Sequence, residues 1–257
     1  MQISTLKQLT FFKNKEILSL KILKNQGFCN INYKLSTQKS QYLIREFKAN
    51  SDEINRYLEF KIQKVASLKK IAPIPFFIDE TQSFMITEFI NGCHKSKLSN
   101  MELKKLVKTV KDIHNIRIVT KEKEYNFKRD FVYYNQILKD TDSKKLIKQS
   151  LKEVQRLKKI HKDLVLTHCD LNPKNILFTK NSIKIIDWEY ARINDLFFDL
   201  ASLCCEFNLS KREEQLLLKT YFKKTTTLQI HKLNSYKIIY KNLCLLWFKS
   251  LNIQINK

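Results

Sequence analysis

The chain has 257 residues and a mass of 30.8 kDa, which is enough to bury a sizeable core as one large domain or two lobes. Hydrophobic residues make up 43% of it, an ordinary fraction for a globular protein that excludes wholesale disorder. The net charge of +23 would attract polyanions, but the lysines are spread along the chain instead of forming one stripe, so we expect no dedicated nucleic-acid binding.

Residues 1–90 are predicted to form short strands and one helix. Apolar runs bounded by turn residues predict the strands. Apolar residues from Ile54 to Val65 recur at the spacing of one helix face. The predicted elements are strands Glu16–Leu23, Asn30–Leu35, Gln41–Phe47, Phe76–Ile78 and Phe84–Phe89, and the helix Ser51–Leu68 with Ser51 and Asp52 as its N-cap pair.

After Asn91 and Gly92 the pattern changes to amphipathic helices that are interrupted by one β-rich insert. The predicted helices are Met101–Ile116, Lys128–Leu138, Ser143–His161 and further helices from Phe198 to the end, and the insert has strands Asn175–Phe178 and Ile183–Ile186. We therefore predict an α+β fold with two lobes, a β-rich lobe with one helix over residues 1–90 and a mainly helical lobe over residues 91–257.

The cysteines and the chain termini indicate a compartment. Six cysteines are scattered, with no CxxC pair and no histidine spacing that suits zinc, as is usual for the reduced thiols of cytosolic proteins. No apolar run approaches the roughly 18–20 residues of a membrane span, and the N-terminus lacks the pattern of a secretory signal. We expect a cytoplasmic protein without a membrane span.

The segment Leu166–Asp187 carries the most informative motif. His168, Asp170 and Asn175 form the pattern H-x-D-x-x-x-x-N, and Asp187 follows at the end of an apolar run. Taken singly, each residue could be a loop cap, a turn former or a strand end. Together they supply what phosphoryl transfer needs, namely a carboxylate that accepts a hydroxyl proton and hard oxygen ligands for magnesium. A loop followed by a hairpin would bring these groups to the same edge.

This segment resembles the catalytic core of the protein-kinase-like small-molecule kinases, the superfamily of aminoglycoside phosphotransferases and choline kinases. Within that superfamily, Ile186–Glu206 is similar to the choline/ethanolamine kinases, including bacterial members, and the resemblance extends from about Leu20 to Trp247. It implies a bilobal protein-kinase-like fold and transfer of a phosphoryl group from ATP, with Mg²⁺, to a small-molecule alcohol.

The resemblance also implies roles for individual residues. In the catalytic loop, Asp170 would be the base, His168 a brace, and Asn175 and Asp187 the magnesium ligands. For the nucleotide, the implied residues are Gly27 and Asn30 in a covering loop, Arg45 on the phosphates, Glu59 as its acidic partner, and the hinge from Glu88 to Ile90 at the adenine. Taken singly, Arg45 and Glu59 could also be solvated surface residues.

On the substrate side, the resemblance places Tyr190, Glu206 and Trp247 in a cationic pocket, where aromatic faces and a carboxylate would hold a quaternary ammonium. They could instead be plain core residues, and Asp199 would order the loop. The family often has two tryptophans on this last helix, whereas this chain has Cys244 at the first position. That difference leaves choline and ethanolamine both open as substrates. One aromatic wall of the pocket is then absent or comes from elsewhere, for example from Tyr240, Tyr236 or Tyr134.

Other classes of function stay open beside the choline or ethanolamine kinase. A thiamine kinase would share these motifs, since thiamine is also a cationic alcohol, although the helix of Trp247 favours choline. An aminoglycoside phosphotransferase needs an acidic surface, which a chain with 48 basic and 25 acidic side chains hardly offers. A non-catalytic pseudokinase would need none of Asp170, Asn175 and Asp187. The sequence leaves the oligomeric state open.

Overall fold

The structure, a computed structural model, describes residues 1–24, 30–47, 54–118 and 124–255. The chain divides into two compact units, one of residues 1–94 with 176–190 and the other of residues 95–175 with 191–257. The first unit thus includes a second segment, residues 176–190, from far along the chain. The predicted division into residues 1–90 and 91–257 has a single boundary and does not include such a segment.

The described elements come in runs of short strands and runs of helices. In chain order, the helices are α1 (Ile3–Lys7), α2 (Arg56–Leu68), α3 (Asn100–His114), α4 (Phe127–Ile137), α5 (Thr141–Leu157), α6 (Phe197–Glu206), α7 (Lys211–Phe222) and α8 (Thr227–Ile255). The strands are β1 (Ile17–Ile22), β2 (Asn30–Thr37), β3 (Gln41–Phe47), β4 (Pro75–Ile78), β5 (Phe84–Glu88), β6 (Leu164–Thr167), β7 (Ile176–Phe178), β8 (Ile183–Ile185) and β9 (Arg192–Asp195).

The first unit is built on an antiparallel sheet of five strands in the order β1-β2-β3-β5-β4. Alternate residues of β2 and β3, such as Leu35 and Ile44, point into a core that they share with Leu6 and Phe12. The alternation of these core residues is a local pattern, which is why the sequence predicted the strands well, although β3 also buries Arg45 and Phe47 on its other face.

Helix α2 packs beside this sheet and begins later than the sequence predicted. It starts at Arg56, and the side chain of Asn55 accepts a hydrogen bond from the Leu58 amide at 2.9 Å. The predicted start at Ser51 was therefore wrong, and the predicted cap pair lies outside the described residues. Asparagine at the N-cap satisfies an amide that the first helical turn leaves unpaired.

The hairpin of β7 and β8 belongs to the first unit. The Ile185 amide donates to the carbonyl of Ile71 at 2.8 Å, and Cys93 and Phe178 exchange backbone hydrogen bonds at 3.0 and 2.9 Å. Gly92 lies against this bridge, where a Cβ atom would come within 3.1 Å of the carbonyl oxygen of Phe178. The hairpin is thereby held to the segment that precedes α3.

The second unit is mainly helical and contains α3 to α8 together with the antiparallel pair β6–β9. Capping boxes at Ser99 with Glu102 and at Ser210 with Glu213 fix the starts of α3 and α7. Helix α6 packs on α8, where the rings of Phe198 and Tyr240 meet edge to face at 5.5 Å. In the part of the chain that the structure describes, no helix combines the length and the apolar character needed to cross a bilayer.

Candidate active site

The loop between β6 and β7 brings Asp170 and Asn175 into direct contact. The side-chain amide of Asn175 donates to Oδ2 of Asp170 at 2.6 Å and to its backbone carbonyl at 3.0 Å. The amide of Asn172 donates to Oδ1 of Asp170 at 2.9 Å. Both oxygens of this half-buried carboxylate are therefore oriented, and the amide oxygen of Asn175 takes no part in these bonds.

Asp199, in the first turn of α6, holds the backbone of this loop. Its two carboxylate oxygens accept hydrogen bonds from the amides of His168 at 2.8 Å and Cys169 at 2.9 Å. Cys169 has a φ of 65°, in the left-handed region that is costly for a residue with a Cβ atom. The clamp keeps this strained turn in place, and Asp199 orders the loop as the sequence analysis expected.

Two buried histidines support the same loop. His168 is the first residue of the loop and is fully buried, and its Nδ1 accepts a hydrogen bond from the amide of Asp170 at 3.3 Å. His114, at the end of α3, contacts Asp199 through Nε2 at 3.0 Å and the hydroxyl of Tyr221 through Nδ1 at 2.8 Å. The sequence offered no partner for His114, because both contacts come from distant helices.

In the first unit, Arg45 is held by three carboxylates. Its guanidinium bonds Glu59 at 2.5 Å and Glu189 at 2.8 Å, and it forms an ion pair with Asp187 at 2.7 Å. Burial alone would lower the pKa of Arg45, but the charges of Asp187, Glu59 and Glu189 outweigh burial and raise it. The structure thus brings together three residues that the sequence had singled out and adds Glu189, which lies inside the quoted segment but was given no role.

Asp187 adopts a φ of 66°, again in the left-handed region. The next residue, Trp188, is fully buried and donates from its indole nitrogen to the carbonyl of Ile185 at 3.0 Å. The buried ring therefore anchors the turn that follows β8. Asn175 belongs to the second unit and Asp187 to the first. Each offers a hard oxygen donor of the kind that Mg²⁺ prefers, so the donor chemistry fits this metal.

The other described residues assigned to the nucleotide lie in the first unit. Gly27 is outside the described residues. Asn30 is buried, and its side chain hydrogen-bonds Glu189. Burial alone would raise the pKa of Glu189, but the charge of Arg45 and the contacts with Arg56 and Asn30 outweigh burial and lower it. The amide of Glu88 donates to the carbonyl of Ile74 at 2.8 Å, so this hinge amide is engaged within the first unit.

On the substrate side, the second unit places a carboxylate beside aromatic and thiol groups. The hydroxyl of Tyr240 donates to Glu206 at 2.8 Å. Burial raises the pKa of Glu206, Tyr240 partly offsets that rise, and the charge of Asp170 adds to it. Burial also raises the pKa of the Cys244 thiol to about 12, so the thiol stays neutral.

Trp247 follows on the same helix, half-buried, with its ring edge to face against Phe248 at 4.9 Å. Tyr190 is half-buried and belongs to the first unit. Of the three residues assigned to the cationic pocket, Glu206 and Trp247 therefore share a unit. Tyr240, one of the tyrosines that the sequence offered as a replacement for the missing aromatic wall, is the one that contacts Glu206.

Comparison with known proteins identifies relatives over most of the chain. Residues 21–240 match the family model described as choline/ethanolamine kinase. A LicA homolog of Mycoplasma capricolum subsp. capricolum is 25% identical over 241 residues, which span 91% of this chain and 90% of that protein.

Solved structures have the same fold. The choline kinase LicA from Streptococcus pneumoniae superposes with a TM-score of 0.83 at 22% identity, covering 98% of this chain and 91% of that one. A spectinomycin phosphotransferase in complex with ADP and spectinomycin superposes with a TM-score of 0.67 at 17% identity, covering 95% and 87%. The predicted α+β fold of the protein-kinase-like type is confirmed.

Proposed function

Because the chain belongs to the choline/ethanolamine kinase family and is thus a phosphotransferase with an alcohol as acceptor, we propose that it phosphorylates choline or ethanolamine. The γ-phosphoryl group of ATP passes to the hydroxyl oxygen of this cationic alcohol. The new oxygen–phosphorus bond gives phosphocholine or phosphoethanolamine, and the bond to ADP breaks. ATP is a cytosolic nucleotide, and we place the reaction in the cytoplasm.

The observation that carries this proposal is the oriented carboxylate of Asp170. Asn172 and Asn175 hold its two oxygens at 2.9 and 2.6 Å, and Asp199 fixes the backbone on its N-terminal side. A base held in this way can accept the hydroxyl proton while the alcohol oxygen attacks phosphorus. His168 acts by bracing the loop, through the bond to the Asp170 amide.

For the nucleotide, we propose that Arg45 contacts the phosphates, with Glu59 as its partner. Gly27 and Asn30, the latter at the start of β2, cover the nucleotide, and the hinge from Glu88 to Ile90 takes the adenine. Asn175 and Asp187 each donate an oxygen to Mg²⁺, which when bound neutralises charge on the phosphate oxygens. Mg²⁺ needs only one or two protein ligands when phosphates and waters supply the rest.

For the alcohol, we propose that Glu206 balances the positive charge, with aromatic faces from Tyr190 and Trp247. A half-buried carboxylate with a raised pKa carries a desolvation cost that a bound cation offsets. Tyr240 orients Glu206 through its hydroxyl.

The test is ADP formation by the purified protein with Mg²⁺, on choline, ethanolamine and thiamine side by side. Turnover on choline or ethanolamine supports the proposal. Turnover on thiamine alone would keep the role of Asp170 but overturn the assigned pocket. Bound MgATP without turnover on any of the three would overturn the proposed reaction and favour a non-catalytic role.

A further inference from the structure

Neither the catalytic motif nor the proposed reaction explains why Arg56, a charged residue of the first unit, is buried. It is the first residue of α2 and is buried, three positions before Glu59. A cation in the first turn of a helix opposes the helix dipole. Burial of a charge is also costly unless it is paired. A buried arginine at this position therefore needs strong partners.

Those partners are the same two glutamates that hold Arg45. Nη1 of Arg56 bonds Glu59 at 2.8 Å and Glu189 at 2.7 Å. Arg45 bonds the other oxygen of Glu59 at 2.5 Å and the same oxygen of Glu189 at 2.8 Å. The four side chains form a closed ring, in which each carboxylate bridges both guanidinium groups.

The formal charges of this ring cancel. Arg45, Arg56, Glu59 and Glu189 have side chains that are 8%, 3%, 0% and 5% exposed, whereas Asp187, which pairs with Arg45, is 31% exposed. Without Arg56, one arginine would face two deeply buried glutamates. With Arg56 present, the two buried arginines cancel the charges of the two buried glutamates. The one negative charge left over is that of Asp187, whose side chain is partly exposed to water.

The ring of four side chains also restricts the orientation of the Arg45 guanidinium. The guanidinium of Arg56 lies over the ring of Phe47 at 3.9 Å, which is close enough for a cation–π contact. Phe47 ends β3, the strand that carries Arg45. Arg56 therefore contacts the end of β3, Glu59 on its own helix and Glu189 on the segment after β8. The two glutamates also bond Arg45 and so restrict the orientation of its guanidinium.

We propose that Arg56 is a positioning residue, which acts through Glu59 and Glu189 to hold Arg45 in the orientation that binds the nucleotide phosphates. The inference rests on the proposed function, since it needs a nucleotide at Arg45. It predicts that loss of Arg56 weakens the binding of ligands that carry phosphate and leaves the binding of the nucleoside unchanged.

The experiment compares the dissociation constants of MgATP and adenosine for the full chain and for Arg56→Lys and Arg56→Met. Arg56→Lys keeps the charge but replaces a planar fork by a single ammonium, so MgATP should bind about 10-fold more weakly. Arg56→Met should weaken MgATP more, by up to about 100-fold. Adenosine should bind each variant within about 2-fold of the wild type.

The matched control is Lys232→Met in the second unit. Lys232 is also a buried cation between carboxylates, at 2.8 Å from Asp163 and 2.6 Å from Asp195. Its loss should lower the melting temperature without changing the ratio of the two dissociation constants.

A folded Arg56 variant with a wild-type ratio, or with MgATP and adenosine weakened equally, overturns the inference. If Arg56→Met does not fold, Arg56→Lys decides. A wild-type protein that binds MgATP but phosphorylates none of the alcohols would refute the proposed function alone, because this test reads binding. A wild type that does not bind MgATP would refute both.

Discussion

At the scale of single residues, the test of the proposed base is Asp170→Ala. Turnover should fall by at least about 10²-fold, the usual contribution of a positioned base, while the affinity for MgATP stays close to that of the wild type. Steady-state kinetics and nucleotide binding measure the two effects. Asp142→Ala is the control, because that carboxylate is 78% exposed. A variant at Asp170 with wild-type turnover would contradict the assignment.

Glu206→Gln gives a second prediction at this scale, in which binding of the cationic alcohol weakens while the stability of the fold does not fall. Burial raises the pKa of Glu206, so the folded protein binds this proton more readily than the unfolded chain, and the stability linked to this group falls as pH rises through the raised pKa. Glu206→Gln removes the charge and keeps an acceptor for Tyr240, so the melting temperature at neutral pH should not fall.

The same variant should raise KM for the cationic alcohol by about tenfold or more, because it loses a charge-assisted contact. In the wild type, KM should rise as pH falls through the raised pKa of Glu206, since only the ionised form balances a cation. Kinetics across pH on both proteins checks this. An unchanged KM in Glu206→Gln would remove Glu206 from the pocket.

At the scale of elements, α6 and the loop after β6 are coupled through Asp199. Asp199→Ala would leave the buried amides of His168 and Cys169 without their acceptor and release a strained turn. The free energy of unfolding should fall by about 3 kcal/mol or more, and turnover should fall with it. Denaturant unfolding measures the first effect, and a loss below about 0.5 kcal/mol, as at a surface site, would show that the clamp is unimportant.

The elements also show what the sequence could predict and what it could not. Strand β3 was predicted with both its ends, because a strand-like run that follows the turn residue Ser40 is a local pattern. Strand β6 was missed because its four residues show no alternation of polar and apolar side chains, and β9 was missed because three of its four residues are polar. The ring around Arg45 could be predicted only in part, since Arg56 and Glu189 are 133 positions apart and meet only in the folded chain.

At the scale of the whole molecule, the first unit is discontinuous in sequence. Residues 1–94 carry Arg45, Arg56 and Glu59, but Asp187 and Glu189 come from residues 176–190. Expressed alone, residues 1–94 would leave two buried arginines with one glutamate, and the carbonyl of Ile71 would lose its bond from Ile185. Uncompensated buried charge is strongly destabilising, so this fragment should not unfold cooperatively.

A fusion of the two segments tests this directly. His94 and Ile176 are adjacent in space, since Nδ1 of His94 lies 3.0 Å from the carbonyl oxygen of Ile176, so a few glycines can join residue 94 to residue 176. The fusion restores the hairpin of β7 and β8 and the ring around Arg45, and we expect a cooperative thermal transition by circular dichroism. Glu189→Gln in the fusion should lower its midpoint, because Arg45 and Arg56 both lose a charged partner. If residues 1–94 alone melted as cooperatively and at the same temperature as the fusion, the hairpin would contribute nothing to the stability of this unit.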